Sequence, residues 1–441
     1  FYMKSAIDKL KFNHWLNIRK MSLAVLNKLL EGKVNYKISF DSLDEIDNYS
    51  QNLICDVLKI KPEDIESDEI TPVFIYSSKA NIEKTKRPIT RDNIHFYNYY
   101  TLPTPRGYVA PVLIDILCPK NQYPKLNNGH LEPAITVSLG PQDIYARFDK
   151  KLNKTTWHKF TVNKDPKTDW IVGSSYFEPS YCLHTYSRAT NGPGKILSYT
   201  TKSHLEKVFS KLNDNSFNTL TKNIKNNEKN IEKVFLNQDI KNKGFSYEYL
   251  SKKAKVSITK LKKLNLNEKE LKKICKIIGS DYSLYLKKKY DEDKIGRNYS
   301  NVDQTIKTIR KFKSYMVASI AYNSRFPDLF GYFLKVKNKK NKIIDLEDSN
   351  CSHYLCTKGT INFSVMEGKK IKNKTLKEGD AIWVAAFSNH GFTGDGSLIK
   401  ISDGQNLSYL EKIDLMNTYK LKDTLLRGRH DNVNWGYDSN K

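Results

Sequence analysis

The chain has 441 residues, 39% of them hydrophobic and 28% charged, which is typical of a folded globular protein with a sizeable core. The net charge is +26, but the lysines are dispersed, and we interpret them as solvated faces rather than a nucleic-acid arm. Neither a membrane-spanning apolar stretch nor a signal-peptide pattern stands out, and the six cysteines form no CxxC pair. We therefore expect a cytoplasmic protein with free thiols.

Residues 1–72 predict a helical domain of the helix-turn-helix type. Ser22 is placed to cap the run SLAVLNKLLEG, in which leucines recur at helical spacing and Gly32 marks the stop. The run NYSQNLICDVLKI predicts another amphipathic helix.

From about residue 73 the hydrophobic period changes from helical to strand-like. The runs TPVFIYSS, IHFYNYYTL, VAPVLIDIL and AITVSLG are rich in β-branched and aromatic residues, and Pro, Gly and Asn turns separate them. This pattern predicts a small β-barrel over residues 73–210.

The same order then repeats. YEYLSKKAKVSITKLKKL is a second helix-turn-helix candidate inside a predicted helical domain over residues 211–300. Strands return over residues 301–441, where KEGDAIWVAAFSNHGF has the Gly-Asp turn, strand and His of a cupin barrel. We predict an α+β fold, mainly β, formed by tandem duplication of a helical bundle followed by a cupin β-barrel.

The two predicted barrels differ at polar positions. In the first, Glu178 stands six residues before His184, whereas Val384 stands six residues before His390 in the second. The first also contains His130 and the second His353. Because the second barrel lacks the carboxylate, we expect it to be metal-free.

His130, Glu178 and His184 fit the set of two His and one carboxylate that binds Fe(II) in oxygenases and leaves three positions open. A rival set uses Glu132, since HLE would place both ligands on one strand face. Spacing leaves both sets open, beside the simpler interpretation of polar residues at a barrel rim. Cys182 shares a strand face with His184, but no orienting group accompanies it, which argues against a nucleophile.

A group suited to a phosphate-like anion lies in the same predicted barrel. The fork of donors on an Arg side chain matches a tetrahedral oxyanion, and Tyr, Asn and Ser add neutral donors. The group consists of Arg91, Tyr99, Asn127 and Ser198.

Seven segments spread over nearly the whole chain resemble the 2-hydroxyethylphosphonate dioxygenase family, of which methylphosphonate synthase is a close relative. They are RKMSL, RPITRDNIHFYNYYTL, VAPVLIDILCP, NNGHLEPAITVSLGP, YFEPSYCLHTYS, ILSYT and GRHDNVNWGYD.

The resemblance implies a non-haem Fe(II) enzyme that uses O2 without 2-oxoglutarate. It implies cleavage of the C1–C2 bond of 2-hydroxyethylphosphonate to hydroxymethylphosphonate and formate. By resemblance the metal falls on His130, Glu178 and His184, and Glu132 is left outside. The implied substrate-binding positions are Arg91, Tyr99, Asn127, Ser198 and Lys20, of which Tyr99 and Lys20 also take part in catalysis.

Methylphosphonate synthesis from the same substrate is the alternative activity. Some relatives bind the metal with a Gln four residues after the first His, where this chain has Ala134, and this favours the dioxygenase. A remote alternative is a helix-turn-helix regulator with a cupin sensor, suggested by the charge and by Lys260, Lys262 and Lys263. We expect no nucleic acid or membrane partner, and a homo-oligomer is compatible with the sequence.

Overall fold

The structure is a computed structural model that describes residues 7–428, apart from 68–70, 92, 121, 123–124, 149–156, 165–169, 227–229, 287–297 and 340–341. Most of the segment GRHDNVNWGYD therefore lies outside the described residues. The chain divides into two compact units. One contains the residues up to Phe74 and from Asn406 onward, and the other contains Ile75–Gln405.

The helices and strands are numbered separately in chain order. The helices are α1 (Lys9–Arg19), α2 (Leu23–Leu30), α3 (Asn48–Leu58), α4 (Lys79–Glu83), α5 (His204–Lys211), α6 (Asp214–Lys225), α7 (Ile231–Asn242), α8 (Tyr247–Ala254), α9 (Ile258–Lys262), α10 (Glu268–Ile278), α11 (Val302–Lys307), α12 (Tyr409–Met416) and α13 (Leu421–Gly428). The strands are β1 (Phe74–Ser77), β2 (Arg87–Arg91), β3 (Ile94–Thr101), β4 (Val112–Ile116), β5 (Ala134–Pro141), β6 (Ile144–Phe148), β7 (Trp157–Phe160), β8 (Ser175–Glu178), β9 (His184–Arg188), β10 (Gly194–Thr200), β11 (Asn298–Ser300), β12 (Arg310–Phe312), β13 (Tyr315–Ser319), β14 (Phe330–Asn338), β15 (Cys351–Glu367), β16 (Lys370–Lys377), β17 (Ala381–Val384) and β18 (His390–Asp403).

The helices of the smaller unit begin where the sequence offers caps. The side chain of Ser22 accepts a hydrogen bond from the Val25 N–H at the start of α2, as predicted, and Asp47 caps α3 in the same way. The apolar faces of α1, α2 and α3 meet in one core that includes Phe12 and Ile54. None of the helices in the described part of the chain is long and apolar enough to cross a bilayer.

Within the larger unit, two antiparallel sheets form what we call the first β region. A seven-stranded sheet has the order β11-β8-β5-β10-β4-β3-β2, and a three-stranded sheet has the order β7-β6-β9. Side chains from both sheets, such as Ile114 and Phe148, pack into one core cluster. The strong alternation of apolar residues along these strands explains why each sheet has one face in this core.

An eight-stranded sheet forms the second β region. Its order is β1-β17-β15-β18-β14-β13-β12, and β16 pairs with β15. Leu355 and Ile399 of this sheet share a core cluster with Ile135 and Phe177 of the first β region. Because side chains alternate along a strand, the neighbours of Ile135 and Phe177, among them Glu178, face the other side, into the first β region.

Each β region contains an edge strand that comes from the other half of the sequence. β1 lies beside β17 in the second region, and β11 lies beside β8 in the first. A short helix follows each of these strands, α4 capped by Ser78 and α11 capped by Asn301. The mixed α+β fold with two β-sheet regions and helical segments is therefore confirmed.

Helices α7 to α10 form a separate helical segment in the larger unit. Leu250, Ala254, Val256 and Leu261 are buried in its core, and Ile258 is partly buried. Two of its lysines are engaged in ion pairs: Lys260 with Glu270 and Lys262 with Glu248.

Candidate metal centre

Three side chains from different elements converge at one end of the first β region. Glu178 is the last residue of β8, His184 is the first residue of β9, and His130 lies four residues before β5. One ligand atom from each lies within 4.8 Å of the other two. This trio, the metal triad below, is the set that the sequence favoured after the family resemblance.

The carboxylate of Glu178 lies between the two imidazoles. Its Oε1 is 3.4 Å from His130 Nε2, and its Oε2 is 3.2 Å from His184 Nδ1. The Glu178 side chain is only 2% exposed, and its Oε2 makes no well-aligned hydrogen bond within the described residues. Since a buried carboxylate oxygen without a partner is costly, the site fits a bound cation.

Both imidazoles are oriented by backbone carbonyls. His130 Nδ1 lies 2.6 Å from the carbonyl oxygen of Glu132, and His184 Nδ1 lies 3.0 Å from that of Cys182. In His130, an Nδ1–H donated to the Glu132 carbonyl leaves the Nε2 that faces Glu178 available for a metal, whereas in His184 the Nδ1 faces Glu178 and the Nε2 faces Asn127. The hydrogen bond with Glu178 raises the pKa of His130, and burial acts against it.

The rival ligand Glu132 is not part of the cluster. Its segment lies before β5 rather than on a strand, so His130 and Glu132 do not share a strand face. Its backbone carbonyl contributes by orienting His130, whereas its side chain is outside the metal triad. Cys182 packs against the core of the first β region, and its carbonyl orients His184.

A tight backbone contact fixes the loop that carries His130. The N–H of Tyr181, a residue with φ of 59°, donates to the carbonyl oxygen of His130 at 2.6 Å. A Cβ on the neighbouring Gly129 would lie 2.6 Å from the Tyr181 backbone, and Gly129 has φ of +69°. Only glycine fits there, and the sequence analysis did not identify this pair.

Two of the predicted anion-binding residues lie near the metal triad. Asn127 contacts His184, and Ser198 lies on the strand face that carries Glu178. Asn127 Nδ2 is 2.8 Å from His184 Nε2, and Asn127 Oδ1 accepts hydrogen bonds from the N–H groups of Gly129 and His184. Ser198 pairs in register with Thr136, whose hydroxyl donates to the Ser198 Oγ at 3.2 Å.

Arg91 and Tyr99 are within electrostatic reach of each other. Burial raises the pKa of Tyr99 to about 12, and the positive charge of Arg91 partly opposes this shift. Tyr99 therefore keeps its proton near neutral pH and can donate a hydrogen bond. Arg91 is exposed at the end of β2. Lys20 belongs to the smaller unit, where it is the left-handed C-cap of α1, and its part in the site stays a prediction.

Two buried tyrosines lie on the strands that carry Glu178 and His184, and no sequence pattern was used to predict them. Tyr176 precedes Glu178 by two residues and Tyr186 follows His184 by two, and their hydroxyls hydrogen-bond to each other. Burial, together with the charge of Glu178, raises the pKa of both, so both stay neutral. Their spacing of two from the ligands places them on the same strand face, a signal that could have found them.

The comparisons with known proteins agree with this geometry. A family model described as the 2-hydroxyethylphosphonate dioxygenase cupin-like domain matches residues 83–201. The 2-hydroxyethylphosphonate dioxygenase of Streptomyces viridochromogenes is 32% identical over 443 residues, covering 98% of this chain and 100% of the relative. A solved structure of PhpD with cadmium, complexed with hydroethylphosphonate, is 31% identical with a TM-score of 0.82, covering 96% of this chain and 100% of that chain.

A more distant solved structure has the same fold. Streptomyces albus HEPD, with 2-hydroxyethylphosphonate and Fe(II) bound, is 13% identical with a TM-score of 0.75. The match covers 98% of this chain and 99% of that chain.

Proposed function

Because the chain belongs to the 2-hydroxyethylphosphonate dioxygenase family, we propose that it is an Fe(II)-dependent dioxygenase acting on 2-hydroxyethylphosphonate. The reaction cleaves the C1–C2 bond with one O2 and gives hydroxymethylphosphonate and formate. The observation that carries the proposal is the metal triad, with its buried and unpartnered carboxylate oxygen.

His130, Glu178 and His184 would hold the iron. Fe(II) bound by two His and one carboxylate would supply open positions for substrate and O2 and would pass electrons from the substrate to O2. The one negative charge of Glu178 offsets half of the charge of the ion. The site therefore stays positive, which attracts a phosphonate anion.

Four residues of the first β region bind the phosphonate in this proposal. Arg91 offers its guanidinium fork to two phosphonate oxygens, and Asn127 and Ser198 add neutral hydrogen bonds. Tyr99 donates its retained proton in a hydrogen bond to the substrate, supported by its raised pKa. Lys20 is assigned here only by the family resemblance, as a further positive group.

The position of Ala134 favours hydroxymethylphosphonate over methylphosphonate as the product. Ala134 pairs in register with Glu178, so the two side chains are neighbours on one face of the sheet. A Gln at this position would stand beside the carboxylate ligand, whereas the methyl group of Ala134 cannot bind a metal.

The test is a product assay. Fe(II)-loaded protein is incubated with 2-hydroxyethylphosphonate and O2, the phosphonate products are identified by phosphorus NMR, and formate is measured by proton NMR. Hydroxymethylphosphonate with an equal amount of formate is expected. Methylphosphonate would assign the chain to the synthase, and no turnover by protein with bound iron would contradict both activities.

We also propose that the chain is a tandem duplication, with units at residues 1–72, 73–210, 211–300 and 301–441. The two helical segments share a pattern of turns that supports this. Left-handed Lys20 ends α1 and left-handed Lys255 ends α8, and the next helix begins three residues later in each case.

A repeated hydrogen-bond cluster supports the same duplication in the β regions. The guanidinium of Arg87 donates to the Thr85 carbonyl and to the Thr101 hydroxyl. That of Arg310 donates to the Thr308 carbonyl and to the Ser319 hydroxyl. Each cluster joins the segment after a short helix to a neighbouring strand.

The regulator alternative gains no support from its own lysines. Lys260 and Lys262 are engaged by Glu270 and Glu248, which reduces the positive charge that they offer to DNA. A cytoplasmic location is supported by the six cysteines, all of which are free.

A further inference from the structure

The second β region repeats the backbone of the metal centre. β17 ends at Val384 and β18 begins at His390, as β8 ends at Glu178 and β9 begins at His184. In the turn that follows β17, Phe387 has φ of 56°, and its N–H donates to the Asp348 carbonyl at 2.6 Å. This hydrogen bond has the same length as that from Tyr181 to His130, and both donor residues are left-handed.

The orientation of the histidine is repeated as well. His390 Nδ1 lies 2.7 Å from the carbonyl oxygen of Ser388, two residues before it, as His184 Nδ1 faces Cys182. The Tyr315 hydroxyl accepts from the N–H of Phe392, two residues after His390. Tyr97 makes the same bond with the N–H two residues after His184.

Strand register then identifies the counterpart of His130. Ser352 pairs with Val384, as Ala134 pairs with Glu178. Asp348 precedes Ser352 by four residues, as His130 precedes Ala134. The sequence comparison set His353 against His130. Because His353 directly follows Ser352, its counterpart in the first region is Ile135, which lies in the core.

A buried lysine lies at the centre of this second arrangement. Lys400 pairs in register with Tyr354, as Ser198 pairs with Thr136. The Lys400 side chain is 1% exposed, and its Nζ lies 2.7 Å from the carboxylate of Asp348. The charges of Lys400 and Asp348 shift the pKa of His390 in opposite directions, so both lie within electrostatic reach of this ring.

The Nε2 atom of each counterpart histidine has a polar neighbour, which for His184 is the Asn127 amide at 2.8 Å. His390 Nε2 lies 2.8 Å from the Tyr354 hydroxyl, which can donate to it because Nδ1 faces the Ser388 carbonyl. Val384 offers no ligand atom at the position of Glu178. The second region therefore keeps one counterpart histidine, has Asp348 in place of the other and lacks the carboxylate.

We propose that the second β region is a former metal centre in which the Lys400 ammonium has taken the place of the metal, held by Asp348 at the position of His130. One ammonium and one carboxylate form a neutral pair, which suits a buried site with no metal. Replacing Lys400 and restoring the two missing ligands beside His390 recreates a metal site. The proposal rests on the metal centre of the first β region.

The test is the number of metal ions that each chain binds. The triple variant Asp348→His, Val384→Glu, Lys400→Ser copies the first region, and Co(II) binding is measured by equilibrium dialysis with metal analysis. We expect one Co(II) per chain for the wild type and two for the variant. Adding Glu178→Ala to the triple variant should leave one Co(II) per chain, bound in the second region. The single change Val384→Glu should leave the wild-type value of one Co(II) per chain.

The outcomes separate the two proposals. A folded triple variant that binds one ion overturns the inference about Lys400 and leaves the proposed function standing. A wild type that binds no Co(II) overturns the proposed metal centre itself.

A second measurement applies even if the triple variant does not fold. Lys400→Met and Asp348→Asn are made singly and together, and melting temperatures are compared. If Lys400 and Asp348 form the central pair, each single change lowers the melting temperature by several degrees, and the double change costs less than their sum. Additive losses would overturn the pairing.

Discussion

The two β regions present one backbone arrangement with opposite polar outcomes. At the ligand positions of the first, the Glu178 carboxylate is buried, and one of its oxygens makes no well-aligned hydrogen bond in the described part of the chain. At the matching positions of the second, the Asp348 carboxylate forms an ion pair with Lys400, and His390 Nε2 forms a hydrogen bond with the Tyr354 hydroxyl. Satisfied polar groups stabilise a fold, whereas an unsatisfied buried group marks a place that a ligand completes.

Removing the carboxylate from the first region should give the largest effect. Glu178→Ala deletes the one anionic ligand, and we expect metal affinity and turnover to fall by more than about 100-fold, beyond the loss typical of an outer hydrogen-bond partner. Metal content and the phosphorus NMR assay measure both. Glu132→Ala is the matched control, because only the backbone of Glu132 contacts His130. A larger loss for Glu132→Ala would contradict the ligand assignment.

Changing Arg91 tests whether the first region recognises a phosphonate. Hydrogen bonds to a charged group contribute about 1.5–3 kcal/mol, so Arg91→Ala should raise KM by roughly 10- to 100-fold. Arg91→Lys keeps the charge but loses the fork, and it should recover part of the loss. Steady-state kinetics with 2-hydroxyethylphosphonate measure both variants. An unchanged KM in Arg91→Ala would remove Arg91 from the site.

The sequence predicts the helices, the strands and the types of metal ligand, but not which residues come together in the folded chain. Ser22 and the leucines of α2 specify that helix through local capping and periodicity, and Pro179 coincides with the end of β8. Spacing alone left Glu132 and Glu178 open. The choice depends on which strands pair, a long-range fact that one sequence does not encode locally.

The counterpart of His130 shows the same limit. His353 attracted attention because it is a histidine, whereas register and the Phe387 hydrogen bond select Asp348. The Lys400–Asp348 ion pair joins residues that are far apart in the chain, and no local sequence pattern predicts it. Residue type pointed to the metal triad in the first region, where the ligands are histidines and a carboxylate, but not to Asp348 in the second, where the matching position has no histidine.

Acid should weaken the second region through a buried neutral histidine. Burial lowers the pKa of His353 to about 3, against about 6.5 in an unfolded chain. Below pH 6.5 the unfolded chain binds a proton that the folded chain refuses, so stability is lost as pH falls towards 3. At pH 5 this amounts to ~2 kcal/mol.

Melting temperatures at pH 7 and pH 5 test this contribution. His353→Gln cannot take up the proton, so its melting temperature should fall less between the two pH values than that of the wild type. Comparing the change with pH, rather than stability itself, separates protonation from the packing cost of the substitution. An equal fall in both proteins would show that His353 does not carry the acid sensitivity.

The smallest expected effect concerns how the second region supports the first. The carboxylate of Asp403, at the end of β18, accepts a hydrogen bond from the Tyr199 hydroxyl, and Gln405 donates to the same hydroxyl at 2.7 Å. Tyr199 directly follows Ser198, so the second region holds the strand that presents a proposed phosphonate contact. Weakening one hydrogen bond by ~1 kcal/mol in Asp403→Asn should raise KM about fivefold and leave kcat nearly unchanged. Asp395→Asn, exposed on the same strand, is the control. If Asp403→Asn alters only the melting temperature, the second region supports stability and not substrate binding.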